Sequence, residues 1–462
     1  MEASKQQVGS ILAPLAHLVS ETNLARIPDE VIHQAELSLV DTYGCMIRGY
    51  STEEAKKVVA VEKSLGGRRE STIFVSGERV PAISAARANG YFGDIMEFND
   101  LVSGHAGIGT ISAATAVAEW QKASGEAFIA AVVLGYEVTS RIYSTFYQWK
   151  KDYTECCITP VGPPNTFASA AISAKLMRLD ESGIQEAMLI AGSLLGVCPS
   201  ESLEAGGFVK PYMFGGWPAS VGIFSAICAR EGITGTKTIL DGKMGLLRTW
   251  SREFDLRPLS DALGENWALM KPRRKAHACC GYTHSPLDGM LSIVRKYDLH
   301  PADIAQVEVK VSPYVIPMVG GPAPANALAS KFSLKYLLSV SAMTRKGIQP
   351  EDTEEAQFNR YLKEGASALM EKITIYPDKS FPHYAYSSIR VVTKDRKEYS
   401  ELLENPKGDP GNPLTEEEIL DKFRTQVSSV FPGKKADRIV SAIYTLRRAS
   451  DVSKLISALT KR

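Results

Sequence analysis

No two of the seven cysteines in this 462-residue chain stand in a C-x-x-C spacing, and their number is odd. A disulfide framework, a zinc ribbon and a clustered iron–sulfur ligand set are therefore not signalled. Charge of one sign is also missing: 53 Lys and Arg face 52 Asp and Glu, a formal net charge of +1. Such balance excludes a chain whose main partner is a nucleic acid, which demands an excess of basic residues on one face. A local basic cleft remains compatible with it. No stretch approaches the roughly 18–20 uninterrupted apolar residues of a membrane span, and Met1 to Ala25 carries no apolar core of a signal peptide. The expectation is a soluble, cytoplasmic protein without a membrane partner. The P-loop, the Rossmann fingerprint, HExxH and G-x-S-x-G are absent as well.

What is present is a long chain with 44% hydrophobic residues, enough for two or three domains with a real core. From Ala13 to about Gly232 the sequence reads as successive helices without sustained period-two alternation. Pro28-Asp29-Glu30 opens one of them, with acids in the first turn and Val31, Ala35, Leu39 and Val40 at helical spacing. Thr110 to Ala123, Ala127 to Tyr143 and Phe167 to Leu176 are small-residue helices, apolar over much of their surface, which suits the middle of a bundle. After about Trp267 the texture changes. Val307 to Val311, Lys372 to Tyr376 and Ser388 to Val392 alternate as half-buried strands, and a charged turn leads the last into Glu398 to Leu403. Helices at Pro286 to Tyr297 and Ser333 to Thr344 lie between them. Pro406 to Pro413 is a breaker-rich connector, and Thr415-Glu416-Glu417-Glu418 is a capping-box start for the terminal helices. The expected fold is mainly α with a smaller α+β domain: a helical domain over 1–266, an inserted α+β domain over 267–405, and C-terminal helices over 406–462 that return to the first.

Three segments place polar residues inside small or apolar stretches, where burial without a purpose is expensive. Glu97-Phe98-Asn99-Asp100 followed by Ser103-Gly104-His105 offers carboxylates and an imidazole for acid/base work. The plain alternative is that Asp100 caps a helix and His105 is a satisfied loop histidine. Gly206-Gly207-Phe208-Val209-Lys210-Pro211 sets a lysine on close-approach backbone, able to meet a carboxylate, though most loop lysines are merely solvated. Lys271 to His284 concentrates positive charge beside Cys279-Cys280, Tyr282 and His284 and reads as an anion-binding strand and turn. The paired cysteines read as buried small residues, with a nucleophilic thiolate as the alternative.

These segments, in this order, resemble the MmgE/PrpD family, which includes 2-methylcitrate dehydratases, cis-aconitate decarboxylases and an iminodisuccinate epimerase. The likeness spans nearly the whole chain. It runs from Ile27-Pro28 to Asp41-Thr42-Tyr43-Gly44, through Ala88-Asn89-Gly90 to Asp100, then Gly206 to Pro211 and Gly232 to Gly245. It continues through Lys275 to His284, Ala329-Ser330-Lys331-Phe332-Ser333, and Gly411 to Lys422-Phe423. The resemblance implies a helical domain and a smaller α+β lid with the active site between them, commonly in a homodimer, working without metal or organic cofactor.

It also implies a lyase, dehydratase or decarboxylase, acting on a small di- or tricarboxylic or related acid by proton transfer beside a carboxylate. An epimerase or a catalytically degenerate acid-binding member are the alternatives. By similarity, Lys210 and Lys275 would bind substrate carboxylates, His105 would be an acid/base, Glu97 stands where the family has an aspartate, and His284 belongs to the cleft. Asp100, Thr159, Gly207, Tyr282 and Tyr314 would contact substrate. Several positions depart from the pattern. The usual Asp-Phe-Asp-Asp is Glu97-Phe98-Asn99-Asp100, the usual His of the Asn-Gly-x-x-x-His run is Asp94, and Thr159 lies where a histidine is typical. A pocket Tyr has no clear match, with Met318 nearest by spacing and Tyr314 close by. The departures point to a related acid that is less charged or carries a bulkier apolar arm.

Overall fold

The computed structural model describes residues 10–461 except 152, 160–161, 197–198 and 205–206. Gly206, at the start of the lysine-bearing loop, and Cys198, one of the seven cysteines, therefore lie outside the described residues, as do the first nine residues.

Two hydrophobic cores organise the chain. The first draws on residues from Leu12 to Ala278 and again from Ile419 to Leu459, so the terminal helices complete the helical part. The second runs from Cys279 to Val391 and takes in two earlier residues, Ile108 and Phe214. The fold is mainly helical with a smaller α+β part. Acids at Asp29 and Glu30 open the helix Asp29–Gly49, where they favour the exposed N–H groups of the first turn. The alanine-rich helices Ala106–Gln121 and Pro164–Leu176 have no single apolar stripe, and Gly125–Ser144 is buried along most of its length. Every residue from Ala106 to Ala118 is buried, as expected for a helix surrounded by others.

Small residues set how closely these helices meet. Gly90, in the helix Ala82–Ile95, faces Gly215 so closely that a Cβ on Gly90 would stand 2.7 Å from the Gly215 carbonyl carbon. Gly215 lies in a single π-helical turn, Tyr212–Gly216, that leads into the helix Trp217–Arg230. Such turns add a residue to the helix and re-aim what precedes it; here that is Lys210. Among the described residues, only Tyr212–Arg230 is long and apolar enough to cross a membrane, and 67% of its apolar window is buried inside the protein.

Two short strands, β1 (Ser71–Thr72) and β2 (Arg79–Val80), form a ladder inside the helical part that the sequence reading did not foresee. The α+β part holds β3 (Ile304–Val311), β4 (Ile373–Pro377), β5 (Ser387–Thr393) and β6 (Glu398–Leu403), in the order β4-β3-β5-β6. β3 is parallel to β4 and antiparallel to β5, and β5 and β6 are antiparallel neighbours. Alternate residues of β5 are buried against the helix His284–Lys296, whose Gly289 lies against Ile389 and Leu403. The stretch Lys271 to His284 is not a strand and turn: it is irregular up to a single 3-10 turn, Gly281–Thr283, and His284 opens the next helix.

The capping box at Thr415 forms as its sequence predicts. The Glu418 N–H donates to Thr415 Oγ1 at 3.2 Å, and the Thr415 N–H donates to Glu418 Oε2 at 2.7 Å. One turn on, Lys422 binds three separate segments. Its Nζ donates to the carbonyls of Phe98 at 2.7 Å and Lys275 at 3.0 Å, and pairs with buried Asp41 at 2.7 Å. The C-terminal helix thereby fixes the backbone on both sides of the cleft described below. Lys422→Met leaves Asp41 as an uncompensated buried charge, and about 3–5 kcal/mol of stability should be lost. Urea unfolding at pH 7 measures it; a loss under 1 kcal/mol would show that Asp41 finds another partner.

Candidate active site

A cavity of about 610 Å³ opens between the two parts of the chain. Glu97, His105 and Phe214 line it from the helical part, and Cys280, Tyr282 and Phe332 from the α+β part. Ile108 and Phe214 belong to the second hydrophobic core although they lie in the helical part, so packing joins the two parts at this place.

Behind the wall lies a buried cluster of charges. Glu97 accepts from Lys210 through Oε2 and from Lys275 through Oε1, the latter at 2.8 Å. Lys275 also donates to the Glu97 carbonyl at 2.8 Å, and Lys210 pairs with Asp94 at 2.7 Å. All four side chains are at most 4% exposed. Lys331 approaches from the α+β part and donates to the Ile95 carbonyl at 3.0 Å. Burial raises the Glu97 carboxyl, but Lys210 and Lys275 outweigh it and hold it well below the usual carboxylate range. Burial lowers the Lys210 ammonium, and Asp94 and Glu97 more than reverse that. Asp94 is pushed up to about 6 by burial, which Lys210 partly offsets. Lys331 is lowered to about 8, chiefly by burial.

His105 is aimed into the cavity by an unusual backbone. Ser103, Gly104 and His105 are successive left-handed residues, with φ of 44°, 80° and 66°, and Glu97 is left-handed at 51°. Conformations of this kind persist only where the surroundings over-determine them. Here Asp100 accepts from the Gly107 N–H at 3.3 Å and from the Tyr136 hydroxyl, while Asn165 Nδ2 donates to the His105 carbonyl at 2.9 Å. Asn99 Nδ2 stands 2.7 Å from His105 Nδ1. The neutral ring therefore accepts at Nδ1 and carries its proton on Nε2. Burial and then Lys275 hold the imidazole well below its ordinary value, against the opposing pull of Glu97.

Of the residues singled out in the sequence, Glu97, His105 and Tyr282 are on the cavity wall. Lys210 and Lys275 stand one layer behind it, both engaged by Glu97. Tyr314 is reached through Tyr282, their hydroxyls 2.7 Å apart, and Met318 lines the wall. Asp100, Thr159, Gly207 and His284 are not on the wall. Asp100 ties the loop to the next helix, close to the capping alternative. Thr159 is buried with its hydroxyl unpartnered. Gly207 is exposed and has no atom within 4 Å of where a Cβ would sit. His284 is buried edge-on against His277, ring centroids 5.0 Å apart, and its Nε2 has no hydrogen-bond partner. Cys280 lines the cavity, but burial pushes its thiol up to about 11 and raises that of Cys279 as well, which disfavours a thiolate at either position.

Asp94, Asn99, Tyr136 and Lys331 were not read as site residues. Two of them carried a signal: Asp94 and Asn99 are departures from the family pattern, and each contacts a residue that was read as catalytic. Among the described residues no three His, Cys, Asp or Glu side chains converge as a metal ligand set.

Comparison with known proteins agrees with this two-part construction. Residues 13–259 match the MmgE/PrpD N-terminal domain and residues 277–447 the MmgE/PrpD C-terminal domain. The cis-aconitate decarboxylase-like protein oryM of Aspergillus oryzae is 26% identical, over 98% of each chain. A cis-aconitate decarboxylase of Aspergillus terreus is 24% identical over 99% of this chain and 97% of its own. The human cis-aconitate decarboxylase is 25% identical over 97% and 94%. With both domains matched in order and relatives aligned from end to end, the chain belongs to the MmgE/PrpD family and is an enzyme of the lyase class.

Proposed function

We propose that the enzyme is a decarboxylase of a small unsaturated carboxylic acid, with side chains carrying the proton chemistry and no cofactor taking part. The observation that supports this best is the division of labour on the cavity wall. Dehydration and epimerisation each need a base as well as an acid. Glu97 is a poor base, because two lysines hold its carboxylate; Asp255, the other carboxylate on the wall, is held by Arg257 at 2.6 Å, and Asp94 and Asp100 are off the wall. His105 is the only imidazole on it among the described residues. Decarboxylation asks for one proton donor and no base. The full-length likeness to decarboxylases points the same way.

Three buried ammonium groups, Lys210, Lys275 and Lys331, face two carboxylates, Asp94 and Glu97, so the cluster is net positive while Lys331 is charged. Such a field at the base of a low-dielectric cavity draws in an anion and stabilises the enolate-like charge that develops on it. In the empty site burial, with Lys275 and Lys210 adding to it, keeps His105 neutral. An arriving carboxylate reverses the balance and favours the imidazolium. The bond between the departing carboxylate and its neighbouring carbon then breaks, and the electron pair stays on the remaining acid. Carbon dioxide leaves, His105 Nε2 delivers a proton to the carbon, and the ring recovers a proton from solvent.

Incubation of unsaturated di- and tricarboxylic acids with the enzyme in deuterium oxide should release carbon dioxide and place one deuterium on the carbon that carried it, read by proton NMR. Loss of water, or exchange without carbon dioxide, counts against the reading. His105→Ala should lower kcat by about 10²–10⁴. Asn99→Asp sets a carboxylate against Nδ1 and raises the imidazole pKa, so the fall of kcat with rising pH should move upward by about one unit or more. An unmoved profile would remove His105 as the proton donor. Lys331 loses its charge as pH rises through about 8. KM should therefore climb above that pH in the native enzyme and stay level in Lys331→Met.

A further inference from the structure

The cavity is larger and less charged than a short polycarboxylate requires. Its 610 Å³ falls amid the roughly 300–1,000 Å³ of pockets that enclose drug-sized ligands. Away from Glu97 and His105 one stretch of its wall carries Tyr143, Tyr147, Tyr282, Met318 and Tyr384, with Gln148, Asp255 and small polar residues toward the edge. Tyr143 and Tyr147 stack at 4.4 Å, and Tyr282 packs against Tyr384 at 5.1 Å. The hydroxyls bond to one another, Tyr147 with Tyr143 and Tyr282, and Tyr282 with Tyr314. The hydroxyls of Tyr143, Tyr147, Tyr282 and Tyr314 are thereby engaged with one another.

Cations on this wall are few. Arg273 is paired with Asp409 and lies 4.8 Å over the Tyr384 ring, and Lys271 is exposed at the mouth. Lys210 and Lys275 are taken by Glu97. A small acid bearing a carboxylate on every arm would set charge against ring faces whose nearby cations are already engaged, Arg273 by Asp409 and the Tyr384 ring and Lys150 by the rings of Tyr147 and Tyr314.

We infer that the substrate is a carboxylic acid with an extended apolar arm, its reacting carboxyl end at His105 and its arm along the tyrosine-lined half of the cavity. This rests on the reading of the cavity as the substrate site and deepens it by naming the substrate class. Burial of each added methylene in such a half-site is worth about a fourfold gain in affinity until the space is filled.

The test separates binding from chemistry. Saturated 2-alkylsuccinates from methyl to octyl, which carry no double bond, are titrated into the native enzyme by calorimetry. Kd should fall about fourfold per methylene over the first several members. A Kd that is flat or rises with length, or no binding at any length, overturns the inference. Ser144 lines the cavity directly after Tyr143. Ser144→Trp should fill the arm space and flatten the series, with at least a tenfold greater loss for octyl than for methyl; an equal loss along the series also counts against it. Turnover of unsaturated acids is measured alongside. Carbon dioxide release from a short acid with a flat alkyl series leaves the decarboxylase reading standing and removes the arm. A length-dependent Kd with no carbon dioxide from any acid does the reverse.

Discussion

Glu97 held between Lys210 and Lys275 is the interaction on which the rest of the site depends. Taking such charges out of water costs several kcal/mol per ion, and breaking one partner of a buried set is worse than never having had it. The geometry therefore has to be enforced from outside. The Gly90 to Gly215 approach lets the π turn bring Lys210 against Asp94 and Glu97. Lys422, from the far end of the chain, fixes the carbonyls of Phe98 and Lys275 together. One carboxylate thus ties the helical part to the first residues of the second part, and the cavity wall follows from that tie.

The same pair explains what a linear reading reached and what it did not. Glu97, His105, Lys210 and Lys275 stood out because polar groups in small-residue stretches are costly to bury, and the structure brings all four together. Their pairing was hidden. Glu97 lies 113 residues from Lys210 and 178 from Lys275, so nothing local shows that the lysines face an internal carboxylate before they face a substrate. Asp94 reads in the sequence as a lost histidine; in space it is the second counter-ion of Lys210. Local signals fared better. Thr415 and Glu418 cap their helix reciprocally, and the alternation of Ser387–Thr393 is the alternation of its burial. Ser71–Thr72 and Arg79–Val80 escaped notice because two residues are too few for a period of two to register. His284 was placed at the cleft by likeness of pattern, whereas the helix it opens turns its ring to His277.

Asn99 shows how one uncharged atom changes the site's chemistry. A carboxylate at that position would stabilise an imidazolium in the empty pocket. The amide instead gives the ring its tautomer without giving it a charge, and leaves the protonation of His105 to whatever enters the cavity. Lys275 adds to this by disfavouring the cation from behind. On the function proposed above, proton donation by His105 is thereby coupled to the presence of an anion, which guards against proton transfer in an empty site.

Orientation of that donor costs backbone strain, and the loop from Asp100 to Gly107 is built to hold it. Three consecutive left-handed residues would relax if any anchor were soft. The anchors are instead buried and of different kinds: a tyrosine hydroxyl and a backbone N–H on Asp100, and an asparagine amide on the His105 carbonyl. Burial raises the Asp100 carboxyl to about 6, with Tyr136 pulling the other way. Its folded-state pKa is above the usual value, so Asp100 contributes stability in acid that is lost as pH rises through about 6. At neutral pH it is therefore retained for what it positions. The carboxylate accepts two hydrogen bonds that no apolar residue could accept, and through them the imidazole is held toward the cavity between the two parts.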